Sequence, residues 1–423
     1  MQTSLECRVP AINTRRWIRE VPAASTDGPK ISFKLLILFL LMLYSNVAVI
    51  FKQLDVFRPV QVVAVAAIIM MVVELGMARQ RFRLAWPQSL LLLAFLGIAA
   101  LSSFSAIYAR QAFNTTADFS KVILIYLLIE NTVTTEKRLR AVLLTLLIGG
   151  MLPAVGTINN YMHGVLVEGS RAAWRGIFAN PNEDAYSLLI LIPIAASIAG
   201  ISRWHMRIAL WGMIGVYLLA IFLTFSRGGL LGLFAVLGLM GWKQKSFIIR
   251  AGMIAVLLGG IAVAGMFWTR KDGFKDLRSD TTVRQRFATY EAGALMFAAN
   301  PLLGVGPGCS LVAYPLYVPR DAHCGCQDQL VIHNSFIQVL SELGSLGFIP
   351  WMVFLGAAVF QVRKLQTGRL APYATCLEIA LFGFLASSMA GGFAYTWWPY
   401  ILVALITATK HISDSRIAEN AVQ

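Results

Sequence analysis

The sequence predicts an all-α fold, a polytopic integral membrane protein of about twelve transmembrane helices with one large outer loop containing amphipathic helices. Three observations carry that prediction. Only 13% of the 423 residues are charged and 57% are hydrophobic, where soluble domains average about 25% charged. Apolar windows recur along the chain, each long enough at about 1.5 Å per residue to cross a hydrocarbon core of about 30 Å. Lys and Arg collect in alternate connections between those windows, the asymmetry that orients membrane helices.

In order, the windows lie near 33–51, 59–77, 86–108, 118–133, 141–158, 184–201, 207–224, 228–242, 250–268, 335–361, 371–390 and 393–409. The stretch before Lys34 is basic and polar, and the apolar run that follows is too long for a cleaved secretory signal, so it is retained as the first span. With the amino terminus inside, every short inner connection is basic. Arg79, Arg81 and Arg83 fall there, as do Lys137, Arg138 and Arg140, Arg203 and Arg207, Lys243 and Lys245, Arg363, Lys364 and Arg369, and Lys410. The net charge of +15 is then mostly a topology signal rather than a nucleic-acid surface.

The economical reading is one integral domain over 1–423 with a single sizeable insertion, the outer loop 269–332. Phe287, Tyr290, Ala294, Leu295 and Phe297 repeat in a helical rhythm that stops at Asn300 and Pro301, which predicts an amphipathic helix at the membrane surface. The "GVGPG" run that follows reads as a turn, since no Lys-Ser/Thr follows to make it a phosphate loop. Cys309, Cys324 and Cys326 share this loop, where an oxidising compartment permits a bridge from Cys309 to either of the others. "HCGC" supplies three ligands at spacing too cramped for a usual tetrahedral zinc site, and no metal or other cofactor is expected.

The unusual polar motifs all arrive on the outer side. "RGIFANPNEDA" brings Arg175 among apolar neighbours, with Asn180 and Asn182 flanking Pro181 in a turn and helix cap. "TFSRGGLLGL" places Ser226 and Arg227 between two apolar runs. A charge there must snorkel, pair or face a wet cavity, and a guanidinium fork suits a phosphate. Gly228 and Gly229 would let backbone or ligand approach closely. Arg284 and Arg286 precede the surface helix. "VIHNSFIQVL" opens the tenth span with His333, and Asn334 or Ser335 can cap it. Burial and a helix amino terminus both disfavour imidazolium, so His333 is expected to be neutral and able to take a proton from a hydroxyl, the alternative being a plain cap. Glu183, Asp184 and Glu342 are scattered and read as caps or solvated groups.

The order "GIFANPNEDA", "FSRGGLLG", "NPLLGVGPG" and "HNSFIQVLSELGSLG" resembles the O-antigen ligase and polymerase superfamily of bacterial polytopic glycosyltransferases. The resemblance covers roughly 175–347 and the span layout. It implies transfer of a glycan from undecaprenyl diphosphate without a metal, in the bacterial inner membrane, at a site facing the periplasm, with both termini cytoplasmic. Carried over, Arg175 and Arg227 would hold the diphosphate with Arg284 or Arg286. Asn180, Asn182, Ser226 and Asn334 would support them, and His333 would activate the acceptor oxygen, with inversion at the anomeric carbon. The single long loop ahead of His333 is similar to the ligases, whose acceptor is a sugar hydroxyl of the lipid A core. A polymerase and a protein O-oligosaccharyltransferase are the alternatives within the superfamily.

Outside it, a transporter of lipid-linked glycan would need polar groups near mid-span. Glu74 and Glu378 are the main candidates, and both can lie near an interface.

Overall fold

The computed structural model describes residues 28–46, 49, 57–244, 246–248, 250–255, 258–259, 281–318 and 329–422. The described residues are helical throughout, apart from turns and one isolated antiparallel bridge between Val167 and Arg171. The helices are α1 (Ile31–Ser45), α2 (Pro59–Met77), α3 (Gln88–Phe104), α4 (Ala109–Thr132), α5 (Glu136–Met162), α6 (Pro181–Leu189), α7 (Leu191–Gly200), α8 (Trp204–Leu223), α9 (Arg227–Lys243), α10 (Thr281–Ala299), α11 (Ser310–Tyr317), α12 (Ser335–Lys364), α13 (Ala371–Ser388) and α14 (Trp397–Val422).

Among the described residues, seven helical segments are long and apolar enough to cross a membrane: α2, α4, α5, α6 with α7, α8, α12 and α13. The shorter α1 and α3 are also apolar. The chain is therefore an all-helical, multi-pass membrane protein. The expected span 228–242 forms α9, and 393–409 forms the first part of α14. The expected span 250–268 lies for the most part outside the described residues.

Two expected spans are interrupted. The segment near 184–201 is α6 and α7 joined at Ile190. Pro193 has no amide to donate back to Leu189, so the hydrogen-bond ladder is lost there. Within α12, Gly344 takes φ +61° and ψ −164°, which breaks the helix. The "NPLLGVG" stretch lies alongside that break and satisfies it. Val305 and Gly306 donate to the carbonyls of Ser341 and Glu342, while Ser345 and Leu346 donate to those of Pro301 and Leu302. A Cβ on Gly344 would lie 2.3 Å from Leu302 backbone atoms, so glycine permits both the conformation and the approach.

The core is one large apolar cluster running through the bundle, with Leu40, Tyr44, Phe119, Tyr126, Leu143, Leu188, Leu377 and Tyr400 buried in it. α1 packs on α2 and α5, α3 on α12, α9 on α13, and α4 on α14. A second, smaller cluster joins the outer-loop helices α10 and α11 to the start of α4 through Ala112, Ala292, Met296, Val305, Cys309, Ala313, Tyr314 and Ile332.

That packing corrects the expected face of α10. Ala288, Ala292 and Met296 face inward, whereas Phe287, Ala294 and Leu295 are exposed. Ala288 and Ala292 permit close helix packing, Met296 fills the second cluster, and Phe287 and Leu295 are left on the outer face.

The basic connections gather at one end of the bundle. There Arg138 donates to the Gly28 carbonyl, Arg140 to Ser202, Arg369 and Arg416 pair with Glu136, and Lys243 and Arg363 pair with Glu378. Glu74 accepts from the amides of Lys30, Ile31 and Ser32 at the start of α1. Glu74 and Glu378 are thus helix-end anchors on the basic side. The outer-side motifs meet at the opposite end.

Candidate active site

The first layer is built by two helix starts. Asn180 caps α6, its Oδ1 accepting the Asn182 amide at 2.9 Å, and Pro181 occupies the first helical position. Ser226 caps α9, its Oγ accepting the Gly229 amide at 3.1 Å. The two caps are tied to each other, because Ser226 Oγ donates to Asn182 Oδ1 at 2.7 Å.

Arg171 closes this layer. Its Nη2 donates to the same Asn182 oxygen at 2.7 Å and its Nε to the Thr224 carbonyl at 3.1 Å, with only 5% of the residue exposed. The chain reaches this position through a tight turn in which Glu168 and Gly169 both have positive φ, the backbone of a type I′ turn. The sequence reading favoured Arg175, four residues on. The Glu-Gly pair in "VEGSR" was the available signal that the chain turns back and carries Arg171 inward.

Gly228 and Gly229 serve packing. A Cβ on Gly228 would lie 2.0 Å from Tyr186 Oη, and one on Gly229 would lie 2.6 Å from Ala185 Cβ, so the pair lets α9 seat against α6. Tyr186 is fully buried, and its hydroxyl donates to the Ala390 carbonyl at 3.3 Å. Arg227, the first residue of α9, is half-buried at this end.

The second layer is the "HNS" stretch. Asn334 caps α12, its Oδ1 accepting the Phe336 amide at 2.9 Å and the Ile337 amide at 3.2 Å. Ser335 is turned away from capping: its Oγ donates to the Gly391 carbonyl and accepts the Phe393 amide, both at 2.8 Å, and so joins α12 to the connection between α13 and α14. His333 is half-buried just ahead of the cap. Its pKa is held down at about 4, first by burial and then by the positive charges of Arg286 and Arg171. The imidazole is neutral at pH 7, as the sequence predicts, but the neighbouring charges that contribute are those of two guanidinium groups.

Arg286 and Tyr290 come from α10, four residues apart and so on one face. The Nε of Arg286 is buried and makes no hydrogen bond. The Tyr290 hydroxyl lies 2.9 Å from the His333 carbonyl and 3.1 Å from that of Met389.

The structure therefore brings together Asn182, Ser226, Arg286, His333 and Asn334 and adds Arg171, Tyr186 and Tyr290. Arg175 and Arg284 are placed differently. Arg175 is exposed, with its guanidinium 5.5 Å from the Trp174 ring centroid and its carbonyl accepting from Asn46 Nδ2 at 2.6 Å. Arg284 is exposed near the start of α10.

Glu342 and Asp184, read from the sequence as caps or solvated groups, are both buried. Glu342 accepts the Gly308 amide at 2.8 Å and Ser310 Oγ at 2.5 Å, which holds the "GVGPG" turn against α12. Asp184 accepts Thr157 Oγ1 at 2.5 Å in the first turn of α6. Cys309 is a buried free thiol whose Sγ lies 3.5 Å from the Tyr108 carbonyl. Cys324 and Cys326, with the rest of "HCGC", lie outside the described residues. Among the described residues, no three His, Cys, Asp or Glu side chains are grouped to hold a metal ion.

The family model for O-antigen ligase matches residues 212–352, a segment that includes Ser226, Arg227, Arg286, Tyr290 and His333. That segment is similar to the O-antigen ligase family and spans about a third of the chain. No curated protein matches the chain. The matched segment supplies α9, α10 and the start of α12, while Arg171, Asn182 and Tyr186 come from the preceding connection and α6.

Proposed function

We propose that this chain is an O-antigen ligase that transfers a glycan from undecaprenyl diphosphate to a sugar hydroxyl of the lipid A core, at the periplasmic face of the inner membrane with both termini cytoplasmic. The observation that carries this reading is a neutral imidazole beside two guanidinium groups at the end of the bundle opposite its basic connections. Guanidinium groups suit a diphosphate because each can give paired, charge-assisted hydrogen bonds.

In the proposed reaction, Arg286 and Arg227 bind the diphosphate, with Arg284 and Arg175 at the exposed approach, and Arg171 adds positive charge from below. His333 takes the proton from the acceptor hydroxyl as its oxygen attacks the anomeric carbon. The bond from that carbon to the diphosphate oxygen breaks, and undecaprenyl diphosphate leaves with the electron pair. Direct displacement inverts the anomeric centre. The guanidinium groups supply the charge neutralisation that a metal would otherwise give, so the reaction is proposed to be metal-independent.

Donor binding would also tune the base. In the empty site, Arg171 and Arg286 make His333 a weak proton acceptor. An anionic diphosphate offsets those charges and raises the proton affinity of the imidazole when the acceptor needs it.

A polymerase that uses a second lipid-linked repeat as acceptor is the second reading. It is favoured by the convergence of Arg171 and Arg286, from two different outer connections, on His333. The test is transfer by purified protein given an undecaprenyl-diphosphate glycan and, separately, lipid A core, a second lipid-linked repeat or a pilin peptide. Product with lipid A core alone supports the ligase, and product with the second repeat alone selects the polymerase. No product with any acceptor overturns both and favours transport.

A further inference from the structure

We infer that Tyr290 is a positioning residue for His333: its hydroxyl fixes the His333 backbone and holds the outer-loop helix α10 in the rotation that keeps Arg286 facing the imidazole. The inference rests on the reading of His333 as the base.

The geometry is a three-way tie. Tyr290 Oη lies 2.9 Å from the His333 carbonyl and 3.1 Å from the Met389 carbonyl. One phenolic proton is thus shared between the residue ahead of the α12 cap and the residue following α13. On the carboxyl side of His333 the chain is already fixed. Asn334 accepts from two amides of α12, and Ser335 is bonded to Gly391 and Phe393. Among the described hydrogen bonds, the carbonyl of His333 itself is held by Tyr290.

Burial raises the Tyr290 pKa, and nearby Arg286 opposes that rise. The phenol remains a protonated donor at neutral pH. Because Arg286 lies one helical turn earlier on the same face, a rotation of α10 that broke the Tyr290 bonds would also carry the guanidinium away. Among the described residues, the charged groups that act on the His333 imidazole are Arg286 from α10 and Arg171 from the connection after α5.

The experiment follows the imidazole directly. Histidine-labelled protein is titrated by NMR, with the His333 signal assigned by its loss in His333→Gln. The wild-type midpoint is expected near pH 4. In Tyr290→Phe, which keeps the ring beside Phe287, the midpoint should move up by about one unit or more toward the ordinary histidine value of about 6.5. An unchanged midpoint overturns the positioning role. Tyr290→Met, which fills the space without a donor, should give the same upward shift if the Phe variant does not fold.

The second measurement is transfer kinetics. Tyr290→Phe should lower kcat, raise the donor KM as Arg286 turns away from the diphosphate, and move the acid limb of the pH profile upward. Wild-type product with neither midpoint nor acid limb displaced in the variant sinks the positioning role and leaves the transferase reading standing. A displaced midpoint in a protein that forms no product with any acceptor does the reverse.

Discussion

Arg171 and Ser226 donate to the same atom, Asn182 Oδ1, each at 2.7 Å, so one amide oxygen joins the connection after α5, the start of α6 and the start of α9. Two "cap" motifs that are separate in sequence become one structure through this oxygen. The buried guanidinium also holds the Thr224 carbonyl at 3.1 Å, at the end of α8.

Arg171→Lys should therefore be destabilising despite keeping the charge. An ammonium cannot reproduce the fork that reaches Asn182 and Thr224 together. Loss of one hydrogen bond to a charged group costs about 1.5–3 kcal/mol. A clear drop in the thermal midpoint of the detergent-solubilised protein is expected, and an unchanged midpoint would show that the fork is dispensable.

His333 gives a pH dependence with a definite sign. Its folded pKa of about 4 is below the ordinary histidine value of about 6.5. Between those values the unfolded chain binds the extra proton and the folded one does not. The stability this group contributes is present above pH 6.5 and is lost as pH falls toward 4. Measured against His333→Gln, wild type should lose thermal stability on acidification through that window. A constant difference between the two proteins would contradict the depressed pKa.

Inorganic pyrophosphate should raise the His333 midpoint. An anion beside Arg171 and Arg286 removes part of the positive field that disfavours imidazolium. The midpoint is expected to rise with pyrophosphate concentration in wild type and to respond much less in Arg286→Gln. A titration indifferent to pyrophosphate in wild type would place the anion site elsewhere.

Arg227→Lys should lower transfer by at least about tenfold, since a point charge lacks the paired hydrogen bonds of the fork. Full activity in the Lys variant would return Arg227 to the snorkelling role that its interfacial position also allows.

Gly344→Ala should loosen the outer loop rather than the bundle. The added Cβ meets Leu302 backbone atoms at 2.3 Å, and the residue must hold φ +61°. Such a strained position costs about 1–3 kcal/mol. Faster proteolysis around 301–310 with the spans still protected is the expected result. Unchanged protection would mean that the broken helix and the loop can separate without cost.

Composition and periodicity were enough to place most helices, because a lipid-crossing segment must be long, apolar and internally hydrogen-bonded. The breaks at Ile190 and Gly344 were less legible. A glycine or proline permits an interruption, but whether one forms depends on what lies alongside, and Gly344 is answered by a loop some forty residues earlier in the chain. The helix α10 was legible from its rhythm, but its inward face was not. Alanines and a methionine pack against the second cluster, whereas the larger Phe287 and Leu295 point out.

By itself the sequence determined that the chain is a multi-pass helical membrane protein, that its basic connections share one side, and that Asn180 and Asn334 stand where they can cap helices. These are local consequences of burial cost, charge asymmetry and unsatisfied helix-end amides. Only the tertiary structure decided that the charges of Arg171 and Arg286 act on His333 while Arg175 and Arg284 are exposed, and that Tyr290 ties its backbone. The physical reason is that the field at His333 and the bond to its carbonyl come from residues about 160 and 40 positions away in sequence, a proximity fixed by packing and not by any spacing along the chain.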